Sequence, residues 1–343
     1  MPSLEAQQEI SPSQVILQML TGKWVAQAVS VAATLGVADL LRHGPQDVEH
    51  LARATSTHAD SLYRLLRALA SVGIFAETDG GRFTLTPMAQ CLRGDAPDSV
   101  RNWARLHGIP LFWRSWGELL HSVKTGETGL KQAFGMSGPF EYLSQHPEEA
   151  RVFNDAMTDL ARSQSPSIAA AYEFGRFKKL IDLGGGHGTL LMTILRRYPG
   201  LRGVVFDLPQ VVTGAKAALA AAGLSDRCEA IAGDILESVP AGADGYLTRG
   251  VIHGFDKEHA LIVLGNIRRA IQPEGRLLLL EFVIPPGNQA SLGKLLDLQM
   301  LVIPGGRERT EEEFRELFGA AGFRLSGIHP TATPQSIVEA IPV

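Results

Sequence analysis

The chain has 343 residues, 45% of them apolar and 20% charged, which excludes a disordered protein and allows about two domains at roughly 150 residues each. The 32 Lys and Arg stand against 36 Asp and Glu, a net charge of −4, so the chain is not built mainly to neutralise nucleic-acid phosphate. Its 36 glycines exceed the usual share of about 7% and call for a local explanation.

Cys91 and Cys228 lie far apart and form neither a disulfide framework nor a metal-spaced cluster. The first fourteen residues are polar and acidic, without the basic flank of a signal peptide. Gln18, Lys23, Gln27 and Asp39 interrupt the apolar stretch Val15 to Leu40, so no membrane span is expected and a cytoplasmic, reducing location is the default.

From Pro12 to Leu41 the pattern is helical and apolar on nearly every side: Val15, Ile16, Leu17, Met19, Leu20, Trp24, Val25 and Val29. A helix apolar all round needs cover on all sides, and a partner chain is the expected cover. Val48, Leu51 and Ala52 mark a short helix, and Ser56-Thr57 is the expected N-cap of the next. In that next helix Leu62, Leu65, Leu66, Leu69 and Val72 repeat at helical spacing. Ile74–Ala76 and Arg82–Leu85 then flank Asp79-Gly80-Gly81, a hairpin signal. Three helices and a small hairpin outline a winged helix. Its third helix offers only Arg64 and Arg67 beside Asp60, too little positive charge for a DNA reader, so a scaffold or dimerisation use is favoured over a ligand-sensing regulator.

Residues 101–176 read as helical and aromatic, with Trp103, Phe112, Trp113, Trp116, Phe134, Phe140, Tyr142 and Phe153 expected mostly in the core. From Phe177 strands and helices alternate. Strands are expected at Lys179–Asp182, Gly203–Asp207, Glu229–Ile231, Gly245–Leu247, Arg276–Val283, Phe323–Ile328 and Ser336–Ala340. That pattern predicts a doubly wound α/β domain with its ligand beyond the carboxyl ends of the strands.

The first strand runs into Asp182-Leu183-Gly184-Gly185-Gly186-His187-Gly188. Glycines there let the chain turn sharply and let a ligand approach the backbone. The dinucleotide fingerprint needs glycine where Thr189 stands. Asp182, Asp207 and Asp234 end three consecutive strands, and Asp207, 23 residues past Gly184, suits the hydroxyls of a ribose. Three carboxylates would repel a pyrophosphate and suit a cationic nucleoside such as S-adenosylmethionine. The plainer alternative is that each Asp caps the following helix.

The segment from about Phe153 to the C-terminus resembles the class I S-adenosylmethionine-dependent O-methyltransferases of the caffeate/hydroxyindole type, and the N-terminal region is similar to that family's dimerisation domain. The matching motifs are Asp182–Gly188, Asp207-Leu208-Pro209, Gly233-Asp234-Ile235 and Pro304-Gly305-Gly306-Arg307-Glu308-Arg309-Thr310. The resemblance implies a Rossmann-like domain over 177–343, a helical lid region over 101–176 and a winged-helix dimerisation domain over 1–100. It implies cofactor contacts at Asp182, Gly184, Gly186, Asp207, Leu208, Gly233, Asp234, Ile235, Arg249 and Phe255, with S-adenosylhomocysteine as product and no metal.

It further implies that His253, just after the fourth strand, is the general base, with Glu281 and Glu308 orienting its ring. A phenol of pKa about 10 is mostly protonated at neutral pH, and histidine is well poised to take its proton. Phe153, Met157, Met300 and, more loosely, Trp113 and Trp116 are implied for an apolar slot that takes a flat aromatic acceptor. The residues before Val15 are an arm able to reach a partner's pocket.

The sequence departs from the family at Arg249, usually Lys, and at His253-Gly254-Phe255, usually His-Asp-Trp. His187 stands where a small residue is usual and is expected to face solvent. Some relatives hydroxylate or decarboxylate instead of methylating, and the retained His253, Glu281 and Glu308 argue for methylation here.

Overall fold

The computed structural model describes residues 11–343, so most of the N-terminal arm lies outside the described residues. Contacts divide the chain into two units. One runs to Ile109 and takes in Arg151–Asp159; the other comprises Pro110–Ala150 and Leu160–Val343.

The first unit opens with the helix Pro12–Leu35, capped by Ser11 and Gln14 in a reciprocal capping box. Gly36, at φ 68°, ends it in the left-handed conformation, so the expected run to Leu41 breaks into this helix and the short Val37–Leu40. Only Ser30, Ala32 and Ala33 of the long helix are buried, while Ile16, Leu17, Met19, Leu20 and Trp24 are exposed. Among the described residues this is one helix long and apolar enough to cross a membrane by length and composition, with mean hydropathy 1.2 in its best window.

The expected cap at Ser56-Thr57 is corrected. Ser56, at φ 54°, closes the preceding helix Val48–Thr55, and His58 caps Ala59–Ser71 by accepting the Ser61 N–H on its ring nitrogen. Leu62, Leu66 and Leu69 then bury against Leu51, Phe75 and Phe83. The hairpin pairs Phe75–Thr78 with Arg82–Leu85, and Gln46–Asp47 adds a third short strand.

In the second unit the order across the seven-stranded sheet is Cys228–Ala232, Arg202–Asp207, Lys179–Leu183, Gly245–Arg249, Arg276–Glu281, Ser336–Pro342 and Phe323–Pro330. The first five are parallel, and Ser336–Pro342 is antiparallel to both neighbours. Strands covered on both faces read as unbroken apolar runs, as in Leu277–Leu280, all fully buried. One core packs Leu190, Leu191, Ile194 and Val212 on one face; the other packs Val263, Ile267, Phe314 and Phe318 on the opposite face. The expected strand to Val283 stops at Glu281, and Val283–Ile284 instead pairs with Arg309–Thr310.

The helical region departs from expectation in its aromatic residues. Only Phe112 and Tyr142 of those named are buried, while Trp113, Trp116 and Phe140 are exposed. Four of its helices are short, Pro110–Gly117, Leu119–Thr125, Gly129–Phe134 and Pro139–Gln145, while Phe153 sits half-buried on the 24-residue helix Pro147–Ala170.

Leu278 lies at the centre of the sheet with no exposure. Leu278→Ala is expected to destabilise the protein by about 2–5 kcal/mol, read from denaturant unfolding.

Candidate functional site

Strand order reverses beside Lys179–Leu183, whose neighbours are Arg202–Asp207 on one side and Gly245–Arg249 on the other. Connections leaving a parallel sheet at such a point diverge and leave a crevice at the carboxyl ends of the strands. Two loops of interest leave there, residues 184–188 and 250–255. A Cβ placed on Gly184 would stand 2.8 Å from the Val251 side chain, so the loops touch.

Gly184, Gly186 and Gly188 have φ of 67°, 58° and 78°, a conformation other residues adopt only with strain. Open space surrounds the Cα of Gly186, and its N–H donates to Asp207 Oδ2 at 2.8 Å. The Leu208 N–H donates to Asp207 Oδ1 at 2.7 Å. Asp182 is buried, and burial together with the nearby charge of Asp207 pushes its carboxyl up to about 7, against the pull of Arg249. Burial also raises Asp207, which the two backbone hydrogen bonds oppose. This acidic, glycine-lined hollow fits a cationic nucleoside.

Arg249 is held by two residues that the sequence reading missed. Its Nε donates to Gln335 Oε1 at 3.1 Å, and a second nitrogen donates to Gln164 Oε1. Gln335 in turn donates to the Leu280 carbonyl at 3.3 Å. The other expected contacts are more dispersed. Asp234 accepts the Leu236 N–H at 2.8 Å in a local turn, and no helix begins there for it to cap. A Cβ on Gly233 would lie 2.4 Å from the Phe206 ring, which gives that glycine a packing role of its own. Ile235 and Phe255 are partly buried against the second core. His187 is exposed as expected, and its ring also rests where Gly214 has no side chain, 2.7 Å from the position of a Cβ.

The fourth strand leads into the turn Ile252–Gly254, which carries His253. Its Nδ1 lies 2.6 Å from Glu308 Oε1 and 3.6 Å from Glu281 Oε2. Glu281 also accepts the Ile252 and His253 N–H groups, at 3.0 Å and 3.4 Å. Both carboxylates are buried, and each leaves its second oxygen without a hydrogen-bond partner. Burial alone would pull the imidazole down. The charge of Glu281 and the hydrogen bond and charge of Glu308 outweigh it, with help from the Gly250 backbone, and leave His253 at about 9.

The three residues present ligand atoms within 4.8 Å of one another, close enough for a metal ion. Asp297 accepts the Glu308 N–H at 2.8 Å, another partner with no local sequence signal.

The aromatic and methionine candidates divide between the units. Phe153 and Met157 fall in Arg151–Asp159 of the first unit, while Trp113, Trp116 and Met300 belong to the second. Trp116 donates its indole N–H to Gln299, one residue before Met300.

The chain matches an O-methyltransferase domain over residues 116–324 and an O-methyltransferase dimerisation domain over residues 17–95. It belongs to the S-adenosylmethionine-dependent O-methyltransferase family. It is 45% identical to the phenazine O-methyltransferase PhzM of Lysobacter antibioticus over 96% of both chains. The crystal structure of LaPhzM superimposes with a TM-score of 0.93 at 45% identity, covering 97% of this chain and 100% of that one. The O-methyltransferase NcsB1 from neocarzinostatin biosynthesis, solved with S-adenosylmethionine and 2-hydroxy-5-methyl naphthoic acid, matches with a TM-score of 0.82 at 33% identity, over 93% and 96% of the chains.

In the ligand-free protein the His253 ring signal is expected to titrate near 9 by NMR. Glu308→Gln removes a charge and weakens the hydrogen bond that raise it, so the midpoint falls toward the ordinary value of about 6.5.

Proposed function

We propose that the protein transfers a methyl group from S-adenosylmethionine to a hydroxyl of an aromatic small molecule of the secondary-metabolite kind. The contact of His253 Nδ1 with Glu308 at 2.6 Å carries this reading. It keeps the proton on Nδ1, turns Nε2 into the acceptor and stabilises the imidazolium that forms.

When bound, the cofactor supplies a methyl group on a positively charged sulfur, a strong leaving group. Asp182, Gly184, Gly186, Asp207 and Leu208 would hold it, with Gly233, Asp234, Ile235, Arg249 and Phe255 around it. The acceptor hydroxyl gives its proton to His253 Nε2 as its oxygen takes the methyl. A base at about 9 stands within about one unit of a phenol near 10, so the proton moves almost level in free energy. Glu281 contributes twice, through its charge and by gripping the backbone of the turn. Within the second unit, Trp113 and Met300 are the proposed acceptor contacts. Met300 is tied to the Glu308 segment, since its carbonyl accepts the Gly305 N–H at 2.8 Å.

The reading assigns no metal. Nδ1 and Glu308 Oε1 are engaged with each other in a short hydrogen bond, and deprotonation needs no Lewis acid. Turnover in the presence of a chelator is the check.

Homodimerisation through the N-terminal unit is part of the same reading. The dimerisation-domain match covers residues 17–95, and the exposed apolar side chains Leu17, Met19, Leu20 and Trp24 supply a surface to bury.

With cofactor and a panel of phenols, purified protein is expected to release S-adenosylhomocysteine. His253→Ala should lose about 10²–10⁴-fold in kcat while cofactor affinity persists; undiminished turnover would remove the base assignment. Because only the neutral imidazole accepts a proton, kcat/KM should rise with pH through a midpoint near 9 and level off above it. Asp207→Asn should weaken cofactor binding by about tenfold or more, measured by calorimetry. Leu20→Asp with Trp24→Asp should sediment as a monomer.

A further inference from the structure

Residues 304–310 meet the His253 turn backbone to backbone. A Cβ on Gly306 would lie 2.0 Å from the His253 carbonyl oxygen and 2.8 Å from the Phe255 nitrogen. Those are main-chain atoms, and they cannot swing aside as a side chain would. The next residue, Arg307, donates its N–H to that same His253 carbonyl at 2.8 Å. Arg309, only 3% exposed, donates from its guanidinium to the Ile252 carbonyl at 3.3 Å and the Phe255 carbonyl at 3.4 Å. Three carbonyls of one short turn are therefore tied to a single segment.

That segment is itself anchored. Asp297 takes the Glu308 N–H, Arg309–Thr310 pairs with Val283–Ile284, and Thr310 caps the helix Glu311–Ala320 with Glu313 in a reciprocal box. Glu308 thus leaves a fixed backbone between two residues that both grip the turn carrying its partner.

We propose that Gly306 and Arg309 are positioning residues for the methyl transfer, clasping the backbone of residues 252–255 so that the His253 ring stays seated against Glu308 and Glu281. This rests on the reading of His253 as the base. A proton-transfer geometry tolerates errors of only about 0.5 Å, and a ring is placed no better than the backbone that carries it. Gly306 sets the distance of closest approach, and Arg309 supplies a buried charge whose field also favours the ionised form of Glu281. The groups acting on the ring are then Glu281 and Glu308, with the Gly250 backbone beside it and Arg309 beyond the carboxylates.

The test compares full-length wild type with Gly306→Ala, Arg309→Met and Arg309→Lys. Four quantities are read: the His253 titration midpoint by NMR, the cofactor dissociation constant, kcat and the acceptor KM. In Gly306→Ala the midpoint should fall from about 9 toward the free-imidazole value of about 6.5, because the ring draws away from Glu308. The acid limb of the rate profile should move with it, while kcat drops about tenfold and KM and cofactor affinity hold. Arg309→Met should do the same, and Arg309→Lys should recover part of the loss, which keeps the test open if Gly306→Ala does not fold.

An unmoved midpoint with unchanged kcat overturns the clasp. So does a parallel loss of thermal stability and cofactor affinity with no shift of the midpoint, since that is a merely structural role. A midpoint that shifts in the variants of a wild type that methylates nothing leaves the clasp standing and removes the proposed reaction instead.

Discussion

The reversal of strand order beside Lys179–Leu183 is the constraint on which the rest of the second unit depends. Each parallel strand must be followed by a crossover on one face or the other, and where the direction of winding changes, two successive loops are forced apart at the carboxyl edge. One loop there is the glycine run after Leu183, and the other carries His253. The glycine loop and the His253 turn thus arise side by side from topology.

Charge within this crevice is arranged in two groups that act differently. Asp182 is buried, and burial together with the charge of half-buried Asp207 raises its proton affinity, with Arg249 in partial opposition. Asp207 is raised by burial, against the hydrogen bonds of the Gly186 and Leu208 N–H groups. Around His253 the balance runs the other way. Two buried carboxylates face one imidazole and strengthen its hold on a proton. Each carboxylate also keeps one buried oxygen without a hydrogen-bond partner.

The backbone contact between residues 252–255 and 304–310 joins these groups to the fold. Glu308 lies 55 residues beyond His253, yet the 2.6 Å contact is made because the two helices and two strands between them return the chain to the His253 turn. The departure at Gly254 falls inside this turn. With no side chain there, the turn is held through its carbonyls.

Much of this was legible in the sequence because the signals are local. The glycine run, the Asp at each strand end and the period of Leu62, Leu66 and Leu69 reflect backbone conformation and two-sided burial, which neighbouring residues largely decide. Ser56 misled because its left-handed φ ends one helix instead of starting another. The aromatic residues of 101–176 misled because apolar character alone does not say whether a short helix has an interior to face. Gln164, Gln335 and Asp297 left no trace, since their partners come from strands and loops remote in the chain. The sequence by itself determined the fold class and named the candidates for cofactor contact, base and orienting acids. Tertiary structure alone decided the proton affinity of His253, the bonds that steady Arg249 and the clasp on the turn, because each depends on distances between groups that only the folded sheet brings together.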